Sequence, residues 1–417
     1  MRVKMTFAVL AITALALSLP ASSTANRTVT VESGESIQAA IDKAKPYTTI
    51  KIEAGTYAES LLIDKDGIEL VGEGRKKTHI VPPANPVAGE GCVDPTVSPP
   101  VAPNGICIFD VDAQFNPLST VEDVEISHLS VDGFEANSVF FFHTEDGELT
   151  RTILSDYGEY GVFANDSSGT KIARNVTYNS DEAHNPEAGI YIGDSPNADA
   201  AVWKNVSWGN LLGIFARDAA NGKVRENKSF SNCVGILFLN TDAPVDVAHW
   251  LAEDNVVAAN NRACPPGEEA PPLSGVGIAV LGGHDIDLID NGVFGNRTAD
   301  GFQSAFAGGI VVTASPFGPA PVLSTDIKVG FNTALGNNPD LVVDAGNEAK
   351  LFANDCLTST PDGLCVDSDH SGDHGDDGGH DGGDDHHGDN HHKKHKKNKG
   401  GKHSKHKNKK HFKHHDD

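Results

Sequence analysis

The chain has 417 residues, with 33 Lys and Arg against 58 Asp and Glu, for a formal net charge of −25. That acidity argues against a protein held to nucleic acid by phosphate contacts. Beyond the first 25 residues no stretch is apolar for the roughly 18 residues a membrane helix needs, so no membrane span is expected.

Residues 1–25 read as a secretory signal peptide. Arg2 and Lys4 precede an apolar run from Phe7 to Leu19, and Ser23-Thr24-Ala25 supplies the small residues of a cleavage site. A secreted location follows, and export permits disulfides. Six cysteines allow about 15 connectivities. Their short spacings favour Cys92–Cys107 and Cys356–Cys365, which leaves Cys233–Cys264.

Helical periodicity is nearly confined to Ser36-Ile-Gln-Ala-Ala-Ile-Asp-Lys-Ala44, an amphipathic turn or two placed to cap the end of a repeat array. From there the chain repeats itself. The tetrads that open at Gly161, Gly189, Gly213, Gly235, Gly277 and Gly309 recur with spacings of 28, 24, 22, 42 and 32, and Ser138 opens an earlier one. A short period with insertions is the signature of a solenoid with variable loops. A second column runs through Asn175…Asn179, Asn205…Asn210, Asn227…Asn232, Asn255…Asn260, Asn291…Asn296 and Asn332…Asn337. Asparagine tolerates left-handed backbone, which suits the corners of a coil. Short β-branched or aromatic runs lie between the corners.

The stretch from Glu35 to Gly74, with its Ile-Gln-Ala-Ala helix, Ala54-Gly55-Thr56-Tyr57 and Val71-Gly72-Glu73-Gly74, resembles the N-terminal part of proteins of the pectin-lyase-like superfamily. The resemblance, extended by the two columns, implies an all-β, right-handed parallel β-helix over residues 26–366 with an N-terminal capping helix. It names no reaction. The pectate-lyase Trp-Ile-Asp-His element, the Asp-Pro-His-Asp of alginate epimerases and the pectin-esterase motifs are absent. Asn240-Thr241-Asp242 matches polygalacturonases only in that tripeptide.

In a coil, a residue type repeated in register becomes a column with a pitch of about 4.8 Å. Five residues after each tetrad's first residue stand His143, Asp166, Asp194, Asp218, Asn240 and Gly282. Three stacked carboxylates repel, so they must splay, share a proton or take a cation such as Ca²⁺. They also look like turns opened by an Asx side chain. Arg217 adjoins Asp218, with Lys171, Arg174, Lys204, Lys223 and Arg225 in nearby half-coils. Lyases of the superfamily abstract the proton α to a uronate carboxyl with Arg or Lys, often aided by Ca²⁺. The resemblance therefore implies Arg217 as base and Asp194 and Asp218 as catalytic partners. Lys171, Arg174, Lys204 and His143 would bind substrate, and Asp166, Asp194 and Asp218 would be the Ca²⁺ ligands.

Residues 367–417 hold 13 of the 19 histidines, with 11 Lys against 11 Asp and almost nothing apolar, so a disordered tail is expected. Dense imidazoles such as His386, His387, His391 and His392 suit Zn²⁺, Cu²⁺ or Ni²⁺. Asn26, Asn165, Asn175, Asn205, Asn227 and Asn296 open Asn-x-Ser/Thr sequons, which would be closed to glycans if the Asn column points inward. Three readings stay open for a monomeric secreted protein. The first is a lyase-like enzyme on an acidic polysaccharide. The second is a non-catalytic extracellular or cell-wall glycan-binding protein. The third is a metal-sequestering protein working through its tail.

Overall fold

A computed structural model describes residues 27–92, 103–180, 186–267 and 270–365. These residues fall in one compact unit. The signal-peptide segment, the tail and its candidate metal ligands His386, His387, His391 and His392 lie outside the described residues.

The chain winds as a right-handed parallel β-helix with three faces, visited in the order A, B, C in every coil. Face A is built from strands such as Lys171–Ala173, Ala200–Trp203 and Ala248–Glu253. Face B takes Val176–Tyr178, Val206–Trp208 and Lys228–Phe230, and face C takes Tyr160–Asn165, Ala188–Ser195 and Val234–Leu239. Leu212–Arg225 is one continuous strand that turns from face C onto the next face A. No described helix is long and apolar enough to cross a membrane.

The tetrad register holds throughout face C. Val139 stacks on Val162, and beyond it follow Ile190, Ile214, Ile236, Ile278 and Ile310, each pairing with the next. All are buried. At about 1.5–3 kcal/mol for each fully buried branched side chain, this column is a principal source of stability. The tetrad glycines are a packing necessity. A Cβ at Gly213 would lie 2.0 Å from Ser229 Oγ and 2.5 Å from the Gly235 carbonyl of the next coil.

The asparagine column resolves into two ladders. Asn175, Asn205, Asn227, Asn255, Asn291, Asn332 and Asn354 stand at the A–B corner, and Asn210, Asn232, Asn260, Asn296 and Asn337 at the B–C corner. After the first member of each ladder, each Oδ1 accepts the backbone N–H of the ladder residue one coil earlier, at 2.9 Å for Asn175 to Asn205 and 3.0 Å for Asn205 to Asn227. The residue before the A–B ladder carries the sharp turn, as at Arg174 and Lys204, both with φ of 59°. The sequon asparagines Asn175, Asn205, Asn227 and Asn296 are buried ladder members, so in the folded protein they are closed to glycans.

Helix α1 (Ile37–Lys43) covers the N-terminal end of the coil with Ile37 and Ile41. Ser36 caps it by accepting the Ala39 N–H at 3.1 Å. Glu59 from the first coil accepts the Ile37 and Gln38 N–H groups, each at 3.0 Å. The three bridges are those the spacings favoured: Cys92–Cys107, Cys233–Cys264 and Cys356–Cys365.

Candidate functional site at the C–A corner

The outer side of face C carries a stripe in register: Phe140, Phe163, Tyr191, Phe215, Leu237, Ala279 and Val311. The aromatic members touch in sequence, with ring centroids 4.7, 4.9 and 5.3 Å apart. Leu273 and Phe306 from long B–C loops close over its downstream part, and Cys233–Cys264 pins one of those loops there. The stripe ends where the chain turns towards face A, and the charged groups begin.

Asp166, Asp194 and Asp218 occupy one register position in consecutive coils, flanked by the pairs Asn165–Gly193 and Gly193–Arg217. Their φ values of 47°, 48° and 47° put all three in left-handed backbone, which Asp tolerates better than most residues. The carboxylates do not cap their own turns as the Asx pattern suggested; in that column Asn240 does so, accepting the Asp242 N–H at 2.7 Å. Nor do they converge. Asp166 accepts from His143 Nδ1 at 2.8 Å. Asp194 faces Arg217 Nη2 and the Tyr191 hydroxyl, each at 3.4 Å. Asp218 accepts the Thr241 N–H at 2.7 Å and also its hydroxyl.

Among the described residues no three or more His, Cys, Asp or Glu side chains are grouped to hold a metal ion. Asp166, Asp194 and Asp218, expected as Ca²⁺ ligands, are turned towards different partners in this arrangement. Arg217 supplies the physical reason: its guanidinium lies between two of the three carboxylates, with Nε 3.7 Å from Asp218 Oδ2. It also sits 5.4 Å from the centre of the Tyr191 ring.

Exposure separates the roles. The side chains of Asp166 and Asp194 are 45% and 40% exposed, whereas that of Asp218 is 2% exposed. Burial raises the Asp218 pKa, against the lowering effect of the Thr241 hydrogen bonds and Arg217. Asp218 thus supports Arg217 and Thr241 from a buried position. Burial likewise pushes the Tyr191 phenol up. Burial alone would lower the Arg217 pKa, but Tyr191, Asp194 and Asp218 outweigh it and raise it. A guanidinium held this firmly in its charged form is a poor base and a good anion-binding group.

The basic residues grouped by sequence do not form one cluster. Lys171 and Lys223 point outward from face A, and Lys171 lies 3.7 Å from Asp146. Arg174 and Lys204 stand at the A–B corner, across face A from His143, and Lys204 pairs with Glu226 at 3.2 Å. Arg225 pairs with Glu253 at 3.0 Å.

A second column escaped the sequence reading. Asp146, Gly169, Asp199, Asn221, His249, Asp285 and Asp326 stack where each coil starts face A. His249 Nδ1 lies 2.8 Å from Asp285, and His284 Nδ1 lies 2.9 Å from Thr325 Oγ1. Lys328 lies 2.8 Å from Asp287. The loop lengths before this column vary widely, so alignment on the Gly tetrads loses its register. Its signal in the sequence is an Asp, Asn or His, with Gly169 the exception, at or just before the start of each face A segment.

The chain matches the family described as right handed beta helix region over residues 100–249 and 137–334. None of the curated proteins matches it. Among solved structures it is similar to the A-module of the mannuronan C-5 epimerase AlgE6 of Azotobacter vinelandii, at 15% identity and TM-score 0.51 over 78% of this chain and 90% of that one. It is similar to a variant of the periplasmic alginate epimerase AlgG, at 16% identity and TM-score 0.51 over 79% and 73%. It is also similar to the catalytic domain of a GH87 α-1,3-glucanase, at 12% identity and TM-score 0.51 over 83% and 68%.

Proposed function

Because this chain belongs to the right-handed β-helix family, we propose that it is a secreted protein acting on an acidic polysaccharide, with its reacting centre at Arg217 and Asp194. The signal-like N-terminus and three disulfides support export. The alginate and α-1,3-glucan named for the similar structures support a polysaccharide as the ligand.

One observation carries the site. Arg217 is a part-exposed cation whose buried Nε has no hydrogen-bond partner, beside an exposed carboxylate. Its guanidinium takes the uronate carboxylate and so makes the α-proton more acidic. Asp194, 3.4 Å from Arg217 Nη2, accepts that proton. The electron pair becomes a carbon–carbon double bond, the glycosidic C–O bond at the β-carbon breaks, and water protonates the departing oxygen. Asp218 and Tyr191 position Arg217 and do not touch the sugar. His143, held by Asp166, lies two coils upstream of Asp194 and three upstream of Arg217 as a binding group.

A binding role without chemistry is the second reading, favoured by the pairing of both exposed carboxylates in the row. The test is a set of polyuronides followed at the absorbance of the unsaturated product, with and without chelator. Product that disappears in Arg217→Ala and Asp194→Asn supports the lyase. Binding that Arg217→Ala weakens, with no product, supports the glycan platform. Neither product nor binding with any polyuronide overturns both.

A further inference from the structure

On the far side of the same corner, the outer surface of face A has a dip whose cause lies in side-chain size. Lys171, Ala201, Lys223 and Leu251 follow one another in register along the coil axis. Gly169, two residues before Lys171, adds no side chain, while Ala200 and Gly222 belong to the inward-facing row. Two lysines thus stand one coil to either side of Ala201, about 9.6 Å apart for two strand spacings, with only methyl-sized groups between them. The resulting cleft has a volume of about 580 Å³.

Its walls are chemically specific. Lys223 is exposed and has no ion-pair partner among the described residues, unlike Lys171, which Asp146 holds. His249 gives its Nδ1 to Asp285 at 2.8 Å. A carboxylate only accepts, so the Nδ1 carries the proton, and in the neutral ring Nε2 is left as an acceptor. Asp199 and Asp287 add further acceptors at the rim, Ala201 gives an apolar floor, and Leu251 stands one coil beyond Lys223. A floor for a ring face, several acceptors for hydroxyls and one uncommitted cation describe a sugar bearing a negative charge.

We propose that this dip between Lys171 and Lys223 binds one unit of an anionic saccharide. The carboxylate of that unit lies on Lys223, a hydroxyl donates to His249 Nε2, and the ring rests on Ala201. The site is separate from Arg217 but shares with the proposed function the premise that the ligand is an acidic glycan.

The test is calorimetric titration of the full chain with galacturonate and mannuronate trimers and with their carboxyl-reduced counterparts. Ala201→Trp fills the dip from an outward-facing position, and Lys223→Ala removes the cation without adding bulk. Circular dichroism checks that both variants fold. Each is expected to lower affinity for an acidic trimer by about tenfold or more, a loss of about 1.4 kcal/mol, with the neutral counterpart binding weakly throughout. Arg217→Ala is expected to retain the Lys223-dependent binding. Unchanged affinity in folded Lys223→Ala overturns the proposal. So does equal affinity for acidic and neutral trimers. If binding is lost only in Arg217→Ala, the dip is refuted while the proposed function stands. A parent chain that binds neither acidic trimer refutes the dip and the shared premise together.

Discussion

Replacing Asn205 with Ala tests the load carried by the A–B ladder. Asn205 is buried; its Nδ2 donates to the Ile172 carbonyl at 2.9 Å and to Asn227 Oδ1 at 3.0 Å, and its Oδ1 accepts the Asn175 N–H at 2.9 Å. Three lost hydrogen bonds at about 1 kcal/mol each, plus about 1 kcal/mol or more for leaving the buried Asn175 N–H unpaired, give a loss of about 4 kcal/mol. The neighbouring Lys204→Ala is the control. It removes only an exposed pair with Glu226 at 3.2 Å, an interaction typically contributing about 0–1 kcal/mol. The assay is urea denaturation followed by circular dichroism, comparing midpoints at a common slope. An Asn205→Ala variant within about 1 kcal/mol of Lys204→Ala would refute the idea that the ladder bonds are individually stabilising.

Asp218 makes a pH prediction. Its carboxyl is raised above the ordinary value of 3.8, chiefly by burial, so its charged form destabilises the fold at neutral pH. That penalty shrinks as pH falls through the raised value and is gone below the unfolded-state value. The stability of Asp218→Asn relative to the parent should therefore be more favourable at pH 7 than at pH 4, measured by urea titration at both. For the tail, a chain ending at Val366 should lose retention on immobilised Ni²⁺ and keep its thermal midpoint; no metal-holding group of three occurs among the described residues. Gly213→Ala should destabilise by about 1–3 kcal/mol or more, because its Cβ has no room against the Gly235 carbonyl. A thermal midpoint equal to the parent's would contradict that packing.

The repeat was legible because a solenoid writes its register into the chain. Ile190, Ile214 and Ile236 stack as their tetrads align, and Asn175, Asn205 and Asn227 as their corners align. What each polar side chain touches was not legible. Lys171 and Arg174 are three residues apart, yet those three residues cross the width of face A and leave the two charges at opposite edges. Asp194 and Asp218 look equivalent in sequence, but Thr241, from one coil further on, buries one and leaves the other exposed. His249 and Asp285 were invisible as a pair because they are 36 residues apart and reached through loops of unequal length.

The ladders have a consequence for biosynthesis. Asn175, Asn205, Asn227 and Asn296 are at once acceptor sequences for an oligosaccharyltransferase and the residues whose amides knit one coil to the next. The same Nδ2 cannot carry a glycan and sit inside the coil. In a secretory compartment that glycosylates nascent chains, winding and modification become competing first-order processes at these four positions. A chain modified there cannot close its ladder, so heterologous yield would track the rate at which successive coils dock and not their final stability.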